Sequence, residues 1–119
     1  MGLKPLCFMG SSREDLKEFP RAVMKTIGNA LFEAQMGEKP VEAKPFKGFG
    51  GAGVLEVIEN YCGGAYRAVY TVKFKNAVYV LHCFQKKSKV AIQTPRYEMF
   101  LIRQRLRMAE AEYKGGEHG

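Results

Sequence analysis

Apolar side chains recur three and four positions apart in two stretches of this 119-residue chain and alternate with polar ones in three others. The first helical stretch carries Val23, Ile27, Ala30, Leu31 and Ala34 on one face; Pro20 suits its first turn and Gly37 its end. The second carries Met99, Ile102, Leu106, Ala109 and Tyr113, with Thr94 expected as its N-cap and Pro95 as its first helical residue. The alternating runs are VLEVIE (Val54 to Glu59), YRAVYTVKF (Tyr66 to Phe74) and AVYVLHCFQ (Ala77 to Gln85), each a strand. Near the N-terminus, LKPLCFM reads as a short strand. SSRE, Ser11 to Glu14, has the spacing of a capping box at the head of a further helix.

The resulting order is β-α-α-β-β-β-α: an α+β fold with an antiparallel sheet of about four strands, two N-terminal helices and a C-terminal helix. Residues 38–53, rich in Pro, Gly and Lys, read as a connecting loop, and residues 114–119 as a loose tail. At this length the chain is expected to form a single domain, 1–119.

Pairing the strands gives the pattern a chemical meaning. If Lys75 and Asn76 are a two-residue turn, Val69 lies opposite His82 and Arg67 opposite Phe84. If residues 60–65 connect the first two runs so that Glu59 meets Tyr66, Glu56 lies opposite Val69. Side chains alternate along strands, so Glu56, Arg67, His82 and Lys86 then project from one face. A slip of one residue in either pairing would scatter them.

Charge sharpens this picture. The net charge is +7, and from Lys86 to Arg107 seven basic residues stand against one acid, Glu98. A concentration of this kind favours a polyanionic partner. Cys7, Cys62 and Cys83 have neither disulfide nor zinc-knuckle spacing. No apolar run reaches the length of a membrane span, and a cytoplasmic location without cofactor or metal is the expectation. GFGGAG, Gly48 to Gly53, matches a dinucleotide-binding pattern formally; it precedes a strand, where that motif follows one and opens a helix, so it reads as a loop positioning Lys47.

Two readings of His82 stand side by side: a hydrogen-bonded core residue, or a member of a site with Arg67, Lys86 and Lys87. A cationic site without paired acids or metal ligands suits phosphodiester binding. It also suits one metal-free reaction, in which the 2′-hydroxyl of RNA attacks the adjacent phosphate. Arginine would stabilise the phosphate oxygens, and a lysine whose pKa is lowered by neighbouring cations could move the proton.

The combination of VLEVIE, Y-R-x-x-Y, H-x-F-x-K-K and T-P-x-x-E, from Val54 to Glu98, resembles the HigB-like, phage-derived branch of the RelE/ParE toxin superfamily. The resemblance implies a type II toxin, an endoribonuclease that cuts messenger RNA on the ribosome and is held by a cognate antitoxin, typically of helix-turn-helix type. It places catalytic roles on Arg67, Lys86, Lys87, Lys47 and His82, with Lys89, Arg96 and Arg103 holding RNA. Relatives of this branch often read E-L-R where this chain has Glu56-Val57-Ile58, so one cationic contact is replaced. Two alternatives accompany this reading: a gyrase-poisoning toxin of the ParE type, and a nucleic-acid-binding module without catalysis.

Overall fold

A computed structural model describes residues 2–49, 53–86 and 94–118 of the chain. The elements are β1 (Leu6–Phe8), α1 (Ser12–Lys17), α2 (Arg21–Gln35), β2 (Ala43–Pro45), β3 (Val54–Tyr61), β4 (Gly64–Thr71), β5 (Val78–Lys86) and α3 (Arg96–His118). They form one sheet in the order β1-β5-β4-β3-β2, antiparallel except for the parallel pair of β1 with β5.

The sheet is packed on both faces. On one, Val23, Ile27, Ala30, Leu31 and Ala34 of α2 meet Val57, Ala68, Tyr70, Val78, Val80 and Cys83. On the other, Ile102, Leu106 and Ala109 of α3 cover Val54, Val69, Leu81 and Phe84. The stripe of α2 is buried throughout, as the apolar spacing selected; that of α3 is buried at Ile102, Leu106 and Ala109, with Met99 and Tyr113 partly buried at its ends. Burying each Val, Leu or Ile stabilises the fold by about 1.5–3 kcal/mol. Among the described residues no helix is long and apolar enough to cross a membrane.

Several expectations are corrected. The sheet has five strands, because β2 forms within the Pro- and Gly-rich connection and pairs Lys44 with Glu56; three residues with two prolines nearby leave no periodicity to read. The helix expected from Pro20 begins at Arg21. The last helix begins at Arg96, and Pro95 supplies the carbonyl that accepts from the Met99 amide, so each proline sits one place ahead of its expected position. Residues expected as a tail continue α3 to His118. The capping box does not form: the Ser11 hydroxyl donates to Asp15 and accepts from Arg105, which leaves it unavailable as a cap.

The pairing that groups the site residues does form. Glu56 meets Val69, Arg67 meets Phe84 and Val69 meets His82. The β3–β4 turn is tighter than expected, since pairing continues to Tyr61 and Gly64. Cys62 and Gly63 both adopt left-handed backbone, with φ of 48° and 82°, the conformation of a two-residue type I′ hairpin. At the other end the two-residue turn at Lys75 and Asn76 is replaced by a longer connection. The register moves by one at a bulge: Val69 pairs with His82 but Tyr70 with Val80, which leaves Leu81 unpaired. The extra residue turns Leu81 and His82 both toward α3.

Tyr70 is fully buried, its hydroxyl has no hydrogen-bond partner among the described residues, and burial pushes its pKa up to about 12. Removing an unsatisfied buried hydroxyl relieves a desolvation penalty. Tyr70→Phe is therefore expected to raise stability by about 1 kcal/mol, measured as a higher urea midpoint; a lower midpoint would show that the hydroxyl is satisfied in solution.

Candidate functional site

Strand β4 delivers Arg67 and strand β3 delivers Glu56 to the face covered by α3, where Arg67 Nη1 donates to Glu56 Oε2 at 3.0 Å. Both side chains are largely buried, and they line a cleft of about 500 Å³ with Lys47, Gly48, Thr94 and Met99. Lys47 stands exposed where the chain leaves β2, and Thr94 precedes α3. Lys47 and Arg67 thus line the same cleft.

Lys86 ends β5 on the same face. It is 6% exposed, and its Nζ has no hydrogen-bond partner among the described residues. Arg67 Nε is likewise buried and unpartnered among them. Burial pushes the Lys86 ammonium below its ordinary pKa of 10.5; the Arg67 charge pushes the same way and the Glu56 carboxylate opposes both. Two cations and one carboxylate in a desolvated cluster are under-neutralised by one charge, which an anionic group entering the cleft offsets.

His82 shares the face but not the cleft. Arginine only donates, so the 3.0 Å contact from Arg105 Nη1 makes His82 Nδ1 the acceptor. The proton then sits on Nε2 and is donated to Glu98 Oε1 at 2.6 Å. The ring stacks on Phe84 at 4.9 Å and lines a separate cavity of about 440 Å³ with Asp15, Glu18 and Tyr66. Of the two readings of this histidine, the geometry matches the hydrogen-bonded core residue.

Arg105 is the polar residue that sequence reasoning missed. It is 8% exposed, and its guanidinium also donates to the Leu81 carbonyl at 3.1 Å and the Ser11 hydroxyl at 3.3 Å. Leu81 is the bulge residue, so Arg105 satisfies a carbonyl at the point where the ladder is interrupted. Gly10, at φ of 55°, makes room for it: a Cβ there would lie 2.5 Å from Arg105 Nε. The available signal was its position three residues after Ile102 and beside Leu106, at the margin of the buried stripe.

The remaining basic residues spread outward from the cleft. Arg103 lies over the Phe49 ring at 4.9 Å, a cation–π contact that holds it beside the loop of Lys47. Arg96 is exposed at the start of α3. Lys87 and Lys89 lie outside the described residues.

A model of the family described as phage derived protein Gp49-like (DUF891) matches residues 14–107. Among solved structures, an arginine-to-alanine double mutant of the E. coli toxin RelE in its free state superposes with a TM-score of 0.52 at 17% identity, covering 69% of this chain and 82% of that one. The RelBE2 toxin-antitoxin complex from Mycobacterium tuberculosis gives a TM-score of 0.47 at 20% identity, covering 74% of this chain and 97% of that one. The RelE likeness is one of fold. No curated protein matches the chain.

Proposed function

We infer the function from the premise that this chain belongs to the phage-derived Gp49-like family, a family of RelE-type toxins: we propose that it cleaves messenger RNA on the ribosome, in the cytoplasm, without a metal ion. The observation that carries the proposal is the under-neutralised cluster of Arg67, Glu56 and Lys86 at a cleft rimmed by Lys47.

In this reading the RNA supplies its own nucleophile. The 2′-oxygen attacks the adjacent phosphorus and the bond to the 5′-oxygen breaks, leaving a 2′,3′-cyclic phosphate and a free 5′-hydroxyl. Arg67, oriented by Glu56, holds the non-bridging oxygens as charge builds on them. Neutral Lys86 takes the 2′-proton after its flexible side chain turns toward the cleft, and the Lys47 ammonium gives a proton to the departing 5′-oxygen. Lys87 and Lys89 would extend the cationic rim, and a cognate antitoxin, of helix-turn-helix type, would silence the toxin by covering it.

The test is a purified translation system in which cut messages are mapped and their ends analysed for cyclic phosphate. Wild type is expected to cut, while DNA supercoiling by gyrase stays untouched. Uncut messages under all conditions would overturn the proposal.

Lys86 offers a second, separable expectation. Only its neutral form accepts a proton, so the cleavage rate should rise with pH toward its lowered pKa. Lys86→Arg keeps the charge but cannot deprotonate, and should reduce cleavage by about 10²–10⁴-fold. Stability runs the other way. Because the unfolded chain holds this proton more tightly than the folded one, wild-type stability rises with pH between the lowered pKa and 10.5. Lys86→Met removes that penalty and should leave the urea midpoint unchanged or higher while inactive. Full activity in Lys86→Arg would remove Lys86 from the role of base.

A further inference from the structure

The outward face of α3 carries Tyr97, Phe100 and Met108, which are 69%, 61% and 49% exposed. Their spacing, with Gln104 between, follows the helical period, so they form a single stripe on the side of α3 opposite its core residues. Beside it, Arg96, Arg103 and Arg107 recur seven and four residues apart and form a parallel basic row. The row meets the cleft at its middle member: Arg103 packs on Phe49, and its Nη2 would lie 3.7 Å from a Cβ placed on Gly48, a cleft residue.

We propose that Tyr97 and Phe100 are stacking platforms for unpaired bases of single-stranded RNA whose backbone runs from the cleft along Arg103 and Arg96. The inference deepens the reading of the cleft as an RNA-cleaving site and rests on it. Charge complementarity selects the occupant. A purely apolar partner would meet three arginines at the edge of the stripe, whereas an RNA strand presents phosphates to that row and base faces to the rings at once. Every base has a π-face, so stacking adds affinity without demanding a sequence. Bases held outside the cleft would fix the register of the strand and thereby which phosphate reaches Arg67.

The test uses the full chain and a fluorescein-labelled 2′-O-methyl RNA 12-mer, which lacks the attacking hydroxyl and cannot be cut. Binding is followed by anisotropy at several salt concentrations. Tyr97→Leu and Phe100→Leu keep the surface apolar but remove the ring; each should weaken binding at least about fivefold with the salt slope unchanged. Tyr97→Phe should bind as wild type. Arg103→Ala should lower the salt slope by about one. All these positions are exposed, and unchanged circular dichroism and melting temperature confirm the fold of each variant.

Wild-type affinity in both leucine variants overturns the proposal, as does unchanged RNA binding combined with lost binding to the protein encoded next to this chain, which would make the stripe a protein-docking face. Ring-dependent binding by a chain that cuts no message leaves this inference standing and overturns the cleavage reading. Message cleavage together with ring-independent binding does the reverse.

Discussion

Arg67→Ala is expected to lose at least about 10²–10³-fold of message cleavage in a purified translation system, the loss typical of removing a preorganised donor to a developing oxyanion. Arg67 is the only cleft-lining residue among those described that combines a fixed charge with a planar fork of donors. Its Nη1 is committed to Glu56, and its Nε is buried without a partner among the described residues. The guanidinium is thus already oriented and desolvated before RNA arrives. The variant should remain folded, because Lys86 stands near enough to Glu56 for their charges to interact and can compensate the carboxylate left behind. Arg67→Lys separates charge from geometry: it restores a cation beside Glu56 but not the fork, and should recover only a small part of the rate. Cleavage by Arg67→Ala at the wild-type rate would remove the cleft from the reaction altogether.

Arg105→Ala is expected to destabilise the fold by about 3–5 kcal/mol, a large share of the stability of a domain this size. The truncation leaves the Leu81 carbonyl and His82 Nδ1 buried without their donor and opens the space beside Gly10. It also unties α3 from the bulge in β5 and from Ser11 at the head of α1. Urea denaturation measures the loss as a lower midpoint. Any fall in cleavage should follow the folded fraction, since the Arg105–His82–Glu98 chain borders a different cavity from the cleft. An unchanged midpoint would contradict the structural role. A fully stable variant that no longer cuts RNA would instead make this chain part of the chemistry.

The two arginines show how far residue patterns reach. Arg67 sits in a run whose alternation assigns its face, so its place on the side of the sheet that holds Glu56 was legible in the sequence; both turns flanking the run differ in length from the expectation, and the bulge in β5 offsets the longer one. Arg105 sits in a helix where the same periodicity marks both solvent-facing and core-edge positions. Its burial depends on a bulge in β5 and a glycine just after β1, 24 and 95 positions before it: Leu81 and Gly10 come together with Arg105 only in the folded chain. Lys86 falls between these cases. Alternation placed it on the correct face, but its desolvation follows from packing around the sheet end.

His82 makes the same division within one residue. Its strand and face followed from the alternation of AVYVLHCFQ, yet that pattern was equally compatible with a site residue and a core residue. The bulge at Leu81 and the donors and acceptors brought by α3 separate the two. Strand β2 escaped for a different reason: a three-residue edge strand gains its order from pairing with β3, and carries almost no signal of its own.

By itself, then, the sequence determined the helical stripes, the strand faces and the gathering of cations on one side of the sheet, because periods of 3.6 and 2 residues and short turns are local properties of the chain. Only the tertiary structure decided which of those cations share a cleft, which nitrogen of His82 carries its proton, and that Arg105 is buried. Desolvation and hydrogen-bond partnership depend on what residues distant in sequence bring to the same place.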